Sequence, residues 1–145
     1  MPHSLIKPLP MIRTILLLAA ALLLMLPVGF GQELYTNCSA AFLNDAMIVD
    51  DYSPTGTCRL PAEASGLLTV CTATYDNNEW SSTEKLEFKL AIRDGNTGTI
   101  CSFSDKRFTG IEVQKVLAKC RKGDAIVILT VGNEYALPHN AILVE

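Results

Sequence analysis

Leu86, Phe88, Leu90 and Ile92 alternate with Glu87, Lys89, Ala91 and Arg93, the period of a strand with one buried and one wet face. Weaker runs rich in β-branched or aromatic residues cover residues 42–49, 55–60, 67–75, 99–103, 125–131 and 141–144. Turn-forming residues separate them at Ser53-Pro54-Thr55-Gly56, Asp94-Gly95-Asn96 and Gly132-Asn133, spacings that suit two stacked sheets. The Gly132-Asn133 pair has two-residue hairpin chemistry and would set Val131 opposite Glu134.

One segment departs from this period. Thr109 and Glu112 are spaced as a capping box, and Val113, Val116, Leu117 and Cys120 then form one apolar helical stripe. Lys119, Arg121 and Lys122 stand where cations favour a helix C-terminus, and Gly123 suits the left-handed residue that ends it. A helix of about 11 residues is marginal alone, so it must lie on a sheet. The expected role is a crossover from the strand near Ile100 to the one near Val127. The fold class that follows is mainly β, a two-sheet β-sandwich with one short crossover helix over about residues 110–121.

The N-terminal pattern is different again. Residues 1–31 hold Lys7 and Arg13, no acidic residue, an apolar run over residues 15–26, then Pro27 and Gly29-Phe30-Gly31. That is the layout of a secretory signal peptide cut before Gln32, the alternative being a retained anchor. The run is shorter than the roughly 20 residues that span a bilayer, and no second run long enough follows. Residues 32–145 are then expected to be one domain, with a net charge of about −5 once Lys7 and Arg13 are lost from 12 basic against 15 acidic residues. Such a domain has no electrostatic footprint for nucleic acid and no basic cluster for anionic membranes.

Export changes the reading of Cys38, Cys58, Cys71, Cys101 and Cys120, because disulfides persist outside the cytosol. A hairpin of residues 55–60 and 67–75 would face Cys58 to Cys71, and a Cys101–Cys120 bridge would pin the helix to the preceding strand. Each such loop is worth about 3 kcal/mol by chain-entropy arithmetic. Cys38 is left as a thiol on a frayed end or as an intermolecular link. No two cysteines have C-x-x-C spacing for zinc.

Chemistry-bearing residues are few. His139, in YALPHNAIL, is the one histidine beyond the leader. It is either a partly exposed residue at a strand bend or the base of a small hydrolase, though no G-x-S-x-G turn accompanies it. Asp50-Asp51 and the run from Asp94 to Gly98 could offer oxygens to calcium, but the later bidentate Glu is missing and turn chemistry explains them. Tyr75, Asn77, Asn78 and Trp80, in YDNNEWSS, read as a loop with binding chemistry: exposed aromatics among amides stack on sugars or anchor a protein. The alternative is that Trp80 folds back and caps one end of the sandwich. Asn37-Cys38-Ser39 is a glycosylation acceptor pattern if a eukaryote makes the chain. No cofactor is expected.

From residue 86 to the end, LEFKLAIRD, a Gly-rich turn, RFTGIEVQKVLAKCRKGDAIVILTV and LPHNAILVE together resemble the C-terminal domain of GldM and PorM, periplasmic shaft proteins of gliding and type IX secretion machinery. The family's turn GPDG is VGNE here, and its long preceding shaft is absent. The resemblance implies an immunoglobulin-like sandwich used for protein contact, with no catalytic residues. The expected function is thus an exported, non-catalytic protein-interaction module with a partner in the cell envelope or outside the cell. The alternatives are a small secreted hydrolase using His139 and a glycan-binding domain using Tyr75 and Trp80.

Overall fold

Strands are the predominant regular structure in the residues that the computed structural model describes, namely Pro10, residues 38–132 and residues 134–145. The expected leader and its cut site, Asn37 of the acceptor pattern, and Asn133 lie outside the described residues. Within the compact unit Tyr35–Glu145 the elements are β1 (Ser39–Leu43), β2 (Ala46–Met47), β3 (Cys58–Leu60), β4 (Leu67–Asp76), β5 (Glu79–Lys85), β6 (Phe88–Arg93), β7 (Ile100–Ser102), β8 (Ile111–Glu112), α1 (Val113–Leu117), β9 (Ala125–Thr130) and β10 (Ala141–Val144). The first sheet runs β2-β1-β4-β5, with β8 beside the start of β4; the second runs β3-β10-β9-β6-β7. Pairing is antiparallel throughout except between β3 and β10.

The core lies between the sheets. Leu68 and Val70 of β4, Phe88 and Leu90 of β6, Ile126 and Ile128 of β9, and Ile142 and Val144 of β10 meet in one cluster with Val113, Val116 and Leu117 of α1. The alternation read in β6 is therefore real at Phe88 and Leu90, both closed to solvent. The other face of the first sheet carries a small separate cluster of Ala40, Phe42, Cys71 and Ala73, against which Met47 and Tyr52 pack. β1 thus buries residues on both of its faces, which is why its sequence SAAFL shows no polar–apolar alternation.

Several expectations are corrected. The helix is five residues long rather than about 11, and Glu112 makes no side-chain cap bond. Ile111 and Glu112 instead pair with Leu68 and Leu67 as β8, so the strand ladder claims the residues of the supposed first turn and no capping box closes. The apolar stripe holds: Val113, Val116 and Leu117 are buried and Cys120 packs on the core. The crossover is also less direct. β7 and β9 share the second sheet with β6 between them, and the chain visits the first sheet at β8 on the way. No hairpin joins β9 to β10 at Gly132; the partner of Val127 is Ala141, and the intervening segment is spent reaching Ala136, which bridges Cys38.

The expected bridges do not form either, and no disulfide joins any two of the five cysteines. β3 pairs with β10, not with β4, so Cys58 and Cys71 belong to different sheets. Cys58 points into the main core and Cys71 into the small cluster on the far face of the first sheet. Cys58 Sγ lies 3.7 Å from the His139 carbonyl and Cys71 Sγ 3.7 Å from Thr69 Oγ1. Cys101 is exposed on β7, whereas the half-buried Cys120 turns back to the Val116 carbonyl at 3.4 Å. Cys38 is not frayed: its carbonyl accepts from Ala73 N–H at 3.0 Å and the chain bridges to Ala136 at that point.

Candidate functional site

The segment expected as a loop is a hairpin. Asn77 and Asn78, with φ of 50° and 64°, take the paired left-handed conformations of a two-residue turn whose twist matches its strands. Asparagine tolerates that region because its short side chain satisfies nearby backbone groups. The turn joins the end of β4 to β5 and sets Tyr75 opposite Trp80 and Asp76 opposite Glu79. β5, EWSSTEK, is exposed along almost its whole length, and it pairs only with β4 at the end of its sheet.

Three of the four expected binding residues form the tip and its aromatic side, and Trp80 joins a longer row. The Tyr75 and Trp80 rings are 5.1 Å apart, Trp80 and Tyr52 4.5 Å, and Tyr52 and His139 5.3 Å. Each geometry is tilted or edge-on, as ring quadrupoles prefer. Tyr75 shares its face of β4 with Ala73 and Cys71, so the row continues the small outer cluster and turns around the sandwich edge to the β9–β10 connection. Trp80 is therefore partly folded down, leaving it 36% exposed, while Tyr75 is 58% exposed.

Tyr52 is the keystone of this row, and no sequence signal marked it. Its hydroxyl donates to the Ser39 carbonyl at 2.9 Å. Burial, reinforced by the neighbouring Cys38 thiol, pushes its ionisation well above the ordinary tyrosine range. A phenol held neutral and bonded to backbone fixes the ring against which Trp80 rests. The supporting turn is equally specified: Asp50 accepts from Thr57 N–H at 2.7 Å and Thr57 Oγ1 at 3.0 Å, which lowers its carboxyl below the usual range. That use of Asp50 is turn chemistry. Asp94 does the same for Asn96 N–H and Thr97 N–H, at 2.8 and 2.9 Å, and among the described residues no cluster has the make-up of a metal site.

His139 contributes its ring edge rather than a free nitrogen. Nε2 lies 2.7 Å from the Ser53 carbonyl oxygen, an acceptor only, so Nε2 carries the hydrogen and donates it. Nδ1 is buried and has no hydrogen-bond partner. Neither nitrogen faces a hydroxyl or thiol that it could deprotonate. A groove of about 440 Å³ runs past this residue, lined by Arg59, Arg93, Leu143 and Pro138 among others. Within the described residues no helix is long and apolar enough to cross a membrane. Set against known proteins, the chain matches no family model, no curated protein and no solved structure.

Proposed function

We propose that this chain is an exported, non-catalytic protein-interaction module of the cell envelope or extracellular space, and that the β4–β5 hairpin is its contact surface. The observation that carries the reading is the exposure of Tyr75 and Trp80 where β5 and the last residues of β4 bury almost nothing of their own. A seven-residue strand with no core side chain adds little to folding, yet its Trp80 is held between Tyr52 and Tyr75. Rigid aromatic side chains lose little entropy on binding and dominate protein contacts. The leader-like composition of residues 1–31 supports export, and the sequence resemblance to GldM and PorM from residue 86 onward supports an envelope setting. The His139 arrangement speaks against the hydrolase reading, since both ring nitrogens are already committed or enclosed. The glycan reading uses the same Tyr75 and Trp80, but the indole is flanked by Tyr52 and Tyr75 rather than laid open as a platform.

Affinity capture from envelope extracts of the producing cell, with the native chain and with Tyr75→Ala/Trp80→Ala, tests this. Captured proteins are expected to be lost with the variant while its far-ultraviolet spectrum is unchanged. Equal recovery contradicts the hairpin surface. A shift of Trp80 fluorescence with oligosaccharides, and none with the captured protein, would transfer the site to glycans.

A further inference from the structure

The hairpin tip carries a charge arrangement that folding does not require. Asp76 and Glu79 are direct cross-strand partners, and like charges placed so destabilise a strand pair. Among the described residues neither carboxylate has an ion pair, the two bridges there being Arg59–Glu145 and Arg107–Glu87. An unfavourable pair kept beside two exposed aromatics points to a cationic, apolar counterpart.

Such a counterpart exists at the other end of the same strand. Leu67, the first residue of β4, is 39% exposed and lines a groove of about 540 Å³ with Phe103, Phe108, Lys106, Lys115 and Lys119. Its floor continues the core: Phe108 lies 6.2 Å from Phe88 and 6.3 Å from Phe103, ring to ring. Lys119 Nζ sits over the Phe103 ring at 4.7 Å, and no lysine of the three has an ion pair among the described residues. Glu112 also lines the groove, so its formal charge is three minus one, or +2, against −2 for Asp76 and Glu79. Ten residues of β4 separate the two surfaces, nine steps of roughly 3.3 Å or about 30 Å in all.

We propose that copies of this chain associate head to tail, the Asp76–Glu79 hairpin tip of one copy seated in the Lys106/Lys115/Lys119 groove of the next. This rests on the hairpin being a contact surface and names a second copy as its partner. The two surfaces differ and lie at opposite ends of one rigid strand, so the contact is heterologous: each added copy leaves one tip and one groove unfilled, and growth continues unless the rotation closes a ring. The tip presents carboxylates and aromatic edges, the groove ammonium groups over phenyl rings, which joins charge pairing to apolar burial. Salt screens the charge part.

Sedimentation velocity on the full chain tests the inference. At low ionic strength the average mass is expected to rise with concentration up to about 1 mM and to fall when sodium chloride is added. Glu79→Lys and Lys115→Glu, both exposed side chains, should each remain monomeric. Mixed in equal amounts they should form a 1:1 dimer and stop there, because only one intact tip and one intact groove remain between them. Formation of that capped dimer also proves that both variants are folded. A native chain that stays monomeric across the range overturns the inference whatever the variants do. So does either variant assembling like the native chain. A monomeric native chain whose Tyr75→Ala/Trp80→Ala variant still loses captured envelope protein overturns the self-association alone and leaves the module reading standing.

Discussion

Cys58 and Cys120 show how placement sets the chemistry of a thiol. Burial pushes both up from 9.0 to about 11, with the Asp50 carboxylate adding to the effect at Cys58 and Asp124 at Cys120. Because the thiolate is the reactive form, alkylation near neutral pH should label the exposed Cys101 first and these two far more slowly. Mass mapping of a timed iodoacetamide reaction reads the order, and early labelling of Cys58 contradicts the placement. The sign of the linked stability follows. A group whose folded value is raised favours its protonated form in the fold, so its contribution is whole below pH 9 and is lost as pH climbs through about 11. Urea midpoints of Cys58→Ala/Cys120→Ala should therefore fall less steeply across that window than those of the native chain. Parallel slopes would contradict it. A second residue-scale test is Gly56→Ala. A Cβ there would run into the carbonyl oxygen of Asp51, and relief by backbone movement costs about 1–3 kcal/mol, measurable as a lowered unfolding midpoint. An unchanged midpoint would mean that the turn supporting Tyr52 is not built as described.

Among elements, the contrast between β5 and β6 is the sharpest. Phe88 is fully buried, and Phe88→Ala should cost about 3–5 kcal/mol. Trp80→Ala should cost only about 2 kcal/mol, the scale of its two aromatic pairs with Tyr52 and Tyr75; a loss equal to that of Phe88→Ala would mean that the hairpin is a structural cap. The helix yields a test of opposite sense. A closed capping box would make Thr109→Ala cost about 1 kcal/mol, but the structure leaves Thr109 outside any cap, so the change should stay within about 0.5 kcal/mol. The same elements explain what the sequence could reveal. β6 is legible because Phe88 and Leu90 face the core while Lys89 and Arg93 reach solvent, which writes the strand period into residue type, although Ala91 is buried too and Ile92 only half-buried. β5 is not, because a strand exposed on both faces has no apolar period to show; only the Asn77-Asn78 pair between strand-forming residues signals its turn. The helix is shorter than its sequence suggests because Ile111 suits a strand ladder and a helix start equally, and the non-local pairing with Leu68 decides between them. Cys58 and Cys71 stay apart for a related reason: sequence neighbours suggest a hairpin, whereas β3 finds its partner in β10. Tyr75 and Trp80 could be singled out locally. Tyr52 and His139, which complete the row, reach it only through tertiary packing.

Taken whole, the molecule joins a two-sheet core to a hairpin end, β5 with the last residues of β4, that adds no side chain to that core. The core cluster draws on both sheets and on α1, while β5 and the end of β4 stand exposed with Trp80 braced by Tyr52. That exposed, like-charged, aromatic tip is the feature on which the proposed contact surface rests. Site-specific photo-crosslinking in the producing cell tests that most directly, with a benzophenone amino acid replacing Tyr75 in one strain and Glu63, on the β3–β4 connection, in another. Covalent protein adducts are expected from position 75 and not from position 63. Adducts absent at 75, or equally abundant at both positions, would contradict the account.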